Sequence, residues 1–405
     1  MSGESPQILE LVEYGSLLLA REEISEAVGE ILWHNYNKQV GVDFPSPKTG
    51  NRWRITARGW VGQIPLTSDI HLALRPKVEL DNLFRMLEYA YNLKSFRFLE
   101  GLFDCQSLED FYERLAELLA HKILHRGRQG FYCAYLAKTE DLPYVRGRIN
   151  VREVIRKPWN LKVQCDYEEH TADVEENQIL AWTLWCIARN GLCTERVLPT
   201  VRRAYHLLQG LVTVQPKNSQ DCVGRQYNRL NEDYRLLHAL CRFFLEQTGP
   251  SFNGGEHPML PFLVDMARLY ERFVAEWLKA HQETVLLSRG LEVKSQERFY
   301  VGQGLYFDID LVLQDVATGV TKYVLDTKYK APNLPASSDI AQVVAYAEAR
   351  ECQEAILVYP TSLVEPLDIR IGRVRIRSLT FSLVGNLEKA GYRFLEDLLE
   401  SSFQE

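Results

Sequence analysis

Residues 322–330 read KYVLDTKYK, and residues 308–313 read DIDLVL. Each is a short apolar run carrying acids, and a turn joins them. Side chains alternate along a strand, so Asp326 and Lys328 share one face. If the runs pair as a hairpin, Asp310 approaches Asp326 across it. Asp308 shares the face of Asp310 and is the other candidate for the first carboxylate. The three apolar residues and the turn that follow Asp310 favour it. Two close carboxylates repel each other and call for a hard cation. Mg²⁺, with Mn²⁺ as a substitute, binds through one or two carboxylates plus water and substrate phosphate. Such an ion polarises a phosphoryl oxygen and lowers the pKa of its water. A neighbouring lysine can hold or deprotonate that water and balance charge on the phosphate. This is chemistry for phosphodiester hydrolysis. The same pattern also suits an ordinary surface hairpin with a cross-strand ion pair.

Two helical stretches could overlook the pair. In DIAQVVAYAEA (339–349), Gln342 and Tyr346 stand at i and i+4 and share a helical face. In LYERFVAEWL (269–278), Glu271 interrupts a strongly apolar pattern. A half-buried glutamate needs a partner, and a metal or its water is one candidate; a nearby arginine is another.

These elements sit in a chain of 405 residues, enough for two or three domains. The net charge of −7 argues against a generic polyanion binder, so contact with nucleic acid would need local basic surface. One such surface is VRGRINVREVIRKPWNLK (145–162), with six basic residues against Glu153 alone. Arg146, Arg148, Arg152, Arg156 and Lys157 are its candidate partner- or DNA-binding residues. The next stretch, DYEEHTADVEE (166–176), holds six acids. That asymmetry fits either an interaction surface or a self-complementary solvated hairpin. Eight cysteines without a CxxC pair argue against a zinc ribbon or a disulfide framework. His121 and His125 stand at i and i+4, but Lys122 occupies the place where a zinc protease needs glutamate. No run reaches the length of a membrane span, and no secretory leader is visible at the N-terminus, so a cytoplasmic protein is expected.

Periodicity divides the chain into three. Residues 1–78 read as β-rich, with RWRITARGWVGQIPL and DIHLALRP alternating. Residues 79–255 read as mostly helical, starting with LDNLFRMLEYAYNL, with an extended segment at about 130–170. Residues 256–405 read as helix, three strands, helix, two strands, helix, an α/β pattern. PMLPFLVDMARLYERFVAEWLKAHQ is expected as one helix, and the helix at SSDIAQVVAYAEAR is expected to be capped by Ser or Asp.

Together these residues resemble the PD-(D/E)xK nuclease superfamily, with Asp326-Thr327-Lys328 as its D-x-K. Gln342 and Tyr346 resemble the Q-x-x-x-Y feature of the RecB-like branch. More specifically, the chain resembles McrC, the nuclease subunit of McrBC-type modification-dependent restriction systems. The stretches that carry this are PKVELDNLFRMLEYAYNL (76–93), RGRINV (146–151), DVEENQILAWTL (173–184), LYERFV (269–274), IDLVL and VLDTKYK. The resemblance implies a multi-domain α/β (α+β) protein with a C-terminal restriction-endonuclease-like domain. It implies a partner, the hexameric AAA+ GTPase McrB, whose GTPase is stimulated while double-stranded DNA is cut. It places 130–170 in the motor-engaging part. The chain lacks a G-x-x-x-x-G-K-[ST] loop and so supplies no nucleotide hydrolysis of its own. Two departures stand out. Ile309 precedes Asp310 where the family has proline, and residues 314–322 form a long connection. A degenerate, non-catalytic activator and a stand-alone repair nuclease are the alternative readings.

Overall fold

The computed structural model describes residues 7–67, 70–93, 105, 107–247, 261–302, 304–330 and 333–399. The first part contains β1 (Gln7–Val12), β2 (Ser16–Leu19), α1 (Glu26–Asn35), β3 (Val40–Asp43), β4 (Trp53–Ala57), β5 (Trp60–Pro65), β6 (Ile70–Arg75) and α2 (Leu80–Ala90). The middle contains α3 (Leu108–Gln129), β7 (Ala134–Leu142), β8 (Arg148–Ile149), α4 (Val151–Arg156), β9 (Val163–Thr171), α5 (Glu175–Arg189), α6 (Leu198–Gln209) and α7 (Tyr234–Gln247). The last part contains β10 (Phe262–Asp265), α8 (Met266–Ala280), β11 (Leu291–Gly302), β12 (Leu305–Asp315), β13 (Thr321–Thr327), α9 (Ser337–Ala349), β14 (Glu354–Tyr359), β15 (Asp368–Ile371), β16 (Val374–Thr380) and α10 (Leu387–Leu399).

The chain forms two compact units, residues 1–108 with 262–405, and residues 109–261. The β-rich start and the α/β end therefore share a unit, and α2 goes with them. The boundary expected near residue 255 lies outside the described residues.

The first unit is built on two larger sheets. Strands β11-β12-β13-β14-β16-β15 form a mixed six-stranded sheet. Its centre is parallel, β13 beside β14 and β14 beside β16. A parallel centre requires cover on both faces, and the sequence supplies it with unbroken apolar runs. Val324, Ala355, Leu357 and Ile376 pack with Val343, Tyr346 and Ala347 of α9 in one core. The alternate residues Leu325, Ile356 and Val358 are buried as well. The other sheet is β1-β6-β5-β10. Its core joins that of β2-β4-β3 through Leu11, Trp53, Ile55, Ile64, Leu72 and Leu263.

Several expectations change on folding. FLVD (262–265), within the expected helix of residues 258–282, instead forms β10, which pairs antiparallel with β5. Sheet pairing overrides the helical pattern there. Asp265 then accepts from the Ala267 and Arg268 amides and starts α8. The cap of α9 is Ala336, with no side-chain hydrogen bond; Asp339 is turned to Lys330, 2.5 Å away. The basic segment is not wholly extended, because Asn150 caps the short α4 through the Glu153 amide. Of residues 314–322, Gln314 and Asp315 end β12 and Thr321 and Lys322 begin β13, so the connection itself is 316–320. Asp315 Oδ1 closes that turn on the Ala317 and Thr318 amides.

β5 carries Gly62 at φ +130, and a Cβ there would sit 2.1 Å from the Phe262 carbonyl oxygen. No ordinary rotamer relieves a backbone clash at a dihedral that L-residues avoid. Gly62→Ala is therefore expected to lower stability by about 2 kcal/mol or more, read as a drop in melting temperature.

Candidate active site

The β12–β13 register pairs Leu311 with Leu325, so one further step sets Asp310 opposite Asp326. Asp326 is 1% exposed at the end of β13. Lys328 Nζ lies 2.7 Å from Asp326 Oδ2. The contact is an ion pair by distance, but it is not directed as a hydrogen bond, and no other donor reaches that buried oxygen among the described residues. The same ammonium donates to Gln342 Oε1 at 3.0 Å, and Gln342 Nε2 donates to the Tyr346 hydroxyl at 2.7 Å. The i, i+4 face of α9 thus reaches the lysine, as its spacing allows. The main chain at Lys328 is pinned by its own amide, which donates to the Val358 carbonyl.

Asp310 is held from below. Its Oδ2 accepts from the Thr327 amide at 2.9 Å and the Thr327 hydroxyl at 3.0 Å. Thr327 was not singled out in the sequence; its place between Asp326 and Lys328 was the available signal. Glu271 on α8 accepts from Gln296 of β11 at 3.4 Å; Arg272 and Arg268 act on it by charge, with no ion pair to either among the described residues. Asp308 goes elsewhere. It is exposed on the far part of β12, where Arg298 donates to both of its oxygens. The structure therefore brings together Asp310, Asp326, Lys328, Gln342 and Tyr346, places Glu271 beside Asp310, and ties Asp308 to Arg298. Ile309, standing where proline was expected, is fully buried in the core beneath α9.

The electrostatics follow from burial. Asp326 is pushed up to about 7, first by loss of solvent and then by the charge of Asp310, against the pull of Lys328. Glu271 is pushed up to about 7 by burial and by Asp310. Burial also raises Asp310, against the Thr327 hydrogen bonds and the charge of Lys328. Burial alone would lower Lys328, but its bond to Asp326 and the nearby acids carry it above the usual lysine value. Acids held in one place with too few cations are a site with negative charge to spare.

The donors fit a small divalent ion. They are all oxygens, and Asp326 keeps a buried oxygen without a directed donor. Among the described residues, no three His, Cys, Asp or Glu side chains converge into a cage. The structure does not assemble Asp308 and Glu271 into one shell with the pair.

The other unit carries the basic segment in the sheet β7-β9-β8. Arg146 lies 3.4 Å from Glu169 and 4.0 Å over the Tyr167 ring. Arg156 and Lys157 both reach Glu153. Arg148 and Arg152 are exposed. Around them large apolar residues face solvent, with Ile155 73%, Trp159 79% and Leu161 96% exposed. Sequence reading saw the charge but not this apolar surface. Among the described residues, no helix is long and apolar enough to cross a membrane.

Comparison with known proteins gives a family match, one curated relative and two solved structures. Residues 55–360 match the family described as McrBC 5-methylcytosine restriction system component. The Type IV methyl-directed restriction enzyme EcoKMcrBC of Escherichia coli (strain K12) is 22% identical over 213 residues, 51% of this chain but only 60% of that enzyme's length. Among solved structures, a chain from the refined half-complex of the tetradecameric assembly of Thermococcus gammatolerans McrB AAA+ hexamers with bound McrC shares the fold. Its TM-score is 0.54 at 17% identity, covering 97% of this chain and 100% of that one. A chain of the cryo-EM structure of the Thermococcus gammatolerans McrBC complex gives a TM-score of 0.43 at 19% identity, over 67% and 87% of the two chains.

A carboxyl raised on folding binds its proton more tightly in the folded state, so its contribution to stability falls as pH rises. For Glu271 the window runs from the ordinary value of 4.5 to about 7, with a plateau above. In metal-free protein, Glu271→Gln is expected to match wild type at pH 4.5 and to melt progressively higher than wild type towards pH 7.5. Parallel melting curves across that range check it; a constant difference would contradict the burial of charge at this position.

Proposed function

This chain belongs to the McrBC 5-methylcytosine restriction system component family, and from that membership we propose that it is the DNA-cutting subunit of such a system. The reading is a metal-dependent endodeoxyribonuclease that acts on DNA carrying modified cytosine and stimulates a partner hexameric AAA+ GTPase. The observation that carries it is the buried Asp326 at a strand end, with Asp310 opposite and Lys328 in contact.

Asp310 and Asp326 would hold Mg²⁺ or Mn²⁺. When bound, the ion polarises the scissile phosphate and lowers the pKa of a bound water. Lys328 keeps its charge at neutral pH and offers protons to phosphate oxygens as negative charge builds there. Gln342 holds the ammonium on the site side, and Tyr346 holds Gln342. Glu271 titrates near neutrality, the range in which a carboxylate best accepts a proton from water. Thr327 fixes the Asp310 carboxylate by two hydrogen bonds, so one rotamer is set before substrate arrives.

The partner reading rests on the second unit. Exposed Trp159, Leu161 and Ile155, in the same segment as exposed Arg148 and Arg152, make a mixed apolar and cationic surface. Exposed aromatic and aliphatic anchors next to arginine are what protein interfaces use as energetic centres. This region is assigned to the GTPase.

The test is reconstitution with any AAA+ GTPase encoded beside this chain, on methylated and unmethylated plasmid with GTP and Mg²⁺. Asp326→Ala and Lys328→Ala are each expected to slow cleavage by about 100-fold or more while GTP turnover is still stimulated. Cleavage by Asp326→Ala at the wild-type rate sinks the nuclease reading. If neither wild type nor variant cuts, and both raise GTP turnover, the chain is an activator that retains the fold. Separately, Trp159→Ala with Leu161→Ala is expected to weaken association with the GTPase by about 10-fold or more, measured as the concentration that half-saturates GTP turnover.

A further inference from the structure

Tyr329 follows Lys328 and is gripped at two points by the turn between β1 and β2. Its hydroxyl donates to Glu13 Oε2 at 3.2 Å, and its carbonyl accepts from the Tyr14 hydroxyl at 3.2 Å. Glu13 has no exposed surface. Its Oε2 also accepts from the Lys77 amide at 2.9 Å, while its Oε1 has no hydrogen-bond partner among the described residues. A buried carboxylate with one oxygen unmatched is costly. Tyr14 is held at φ +56, a conformation that non-glycine residues avoid. Gly59 leaves the space that its hydroxyl fills, since a Cβ there would lie 2.4 Å from that oxygen. The turn therefore carries an unmatched buried oxygen and a strained backbone, and Gly59, between β4 and β5, clears the path by which the Tyr14 hydroxyl reaches Tyr329. Strain kept in this way marks a position whose geometry is over-determined by its surroundings.

The neighbours of Tyr329 are held from other directions. Lys328 is tied by its amide to β14, and Lys330 pairs with Asp339 of α9. The Tyr329 ring also packs on Tyr270 of α8, 6.0 Å between centroids, so without the two hydrogen bonds its ring packing and the ties of its neighbours to β14 and α9 would remain, but its hydroxyl and carbonyl would lose these partners.

We propose that Glu13 and Tyr14 are positioning residues for Lys328, and that the N-terminal sheet is thereby part of the scaffold of the candidate site. They touch neither Lys328 nor the carboxylates; they fix the main chain one residue beyond the lysine. The proposal rests on the reading of Lys328 as a catalytic group. Its test separates the two ideas.

Four variants are compared with wild type and Lys328→Ala: Glu13→Ala, Glu13→Gln, Tyr14→Phe and Tyr329→Phe. Two quantities are read, single-turnover cleavage of methylated plasmid in the complex with the GTPase, and amide hydrogen exchange of the chain alone at residues 327–330. Tyr14→Phe, Tyr329→Phe and Glu13→Ala are expected to slow cleavage about 10-fold at saturating DNA, with half-saturation unchanged, and to speed exchange at 327–330. Glu13→Gln keeps an oxygen for both donors, so it is expected to stay within about twofold of wild type in both readouts. Wild-type exchange at 327–330 in the phenylalanine variants overturns the proposal, as does wild-type cleavage by them when Lys328→Ala is inactive. Failure of Glu13→Gln to rescue also overturns it. If Lys328→Ala cuts normally, the catalytic reading of Lys328 fails, and with it the positioning role, whatever the exchange shows. The phenylalanine variants keep the rings and their packing, so they stand in should Glu13→Ala not fold.

Discussion

The ion pair of Lys328 with Asp326 sits where apolar residues would serve stability better. A buried pair gives up hydration on both sides and regains it only with good geometry and extra hydrogen bonds. Here Lys328 gains a second acceptor in Gln342, but Asp326 Oδ2 receives no directed donor. Asp310 opposite and Glu271 beside it add repulsion rather than relief. The six-stranded sheet tolerates this because apolar side chains cover both of its faces around the strand end. The parallel β13–β14 ladder and the core beneath α9 hold the acids where they would not otherwise stay.

That constraint shapes the parts nearby. α9 has no side-chain cap, and its first-turn Asp339 is committed to Lys330. Gln342 and Tyr346 are committed to Lys328. α8 begins only after β10 has joined the N-terminal sheet, so the helix carrying Glu271 is anchored by residues about two hundred positions earlier in the chain. The first unit is thus discontinuous in sequence because the sheet β1-β6-β5-β10 takes strands from both ends.

The second unit follows a different logic. Its helices bury aromatic pairs, such as Phe111 with Phe243 and Tyr112 with Phe244, in ordinary edge-to-face packing. Its small sheet instead displays apolar and basic side chains to solvent. Arg146 is partly absorbed by Glu169 and Tyr167, and Arg156 and Lys157 by Glu153. The self-complementary hairpin and the interaction surface were rival readings of the same residues. The internal pairing takes up Arg146, Arg156 and Lys157, while Arg148 and Arg152 face solvent.

What the sequence determined by itself is local. Alternation places Asp326 and Lys328 on one face; helical spacing places Gln342 and Tyr346 on another; continuous apolar runs mark the central strands. Each needs only the period of its own element, so composition and spacing suffice. What the tertiary structure decided depends on pairing between distant segments. That Arg298, ten residues away across a hairpin, takes up Asp308, and that the register puts Asp310 opposite Asp326, both depend on strand pairing. FLVD could be helix or strand until β5 offered it an edge. The grip of Glu13 and Tyr14 on Tyr329 spans more than three hundred residues and has no local signature at all. A hydrogen bond between such segments is set by the meeting of two surfaces, and neither segment carries the geometry of the other.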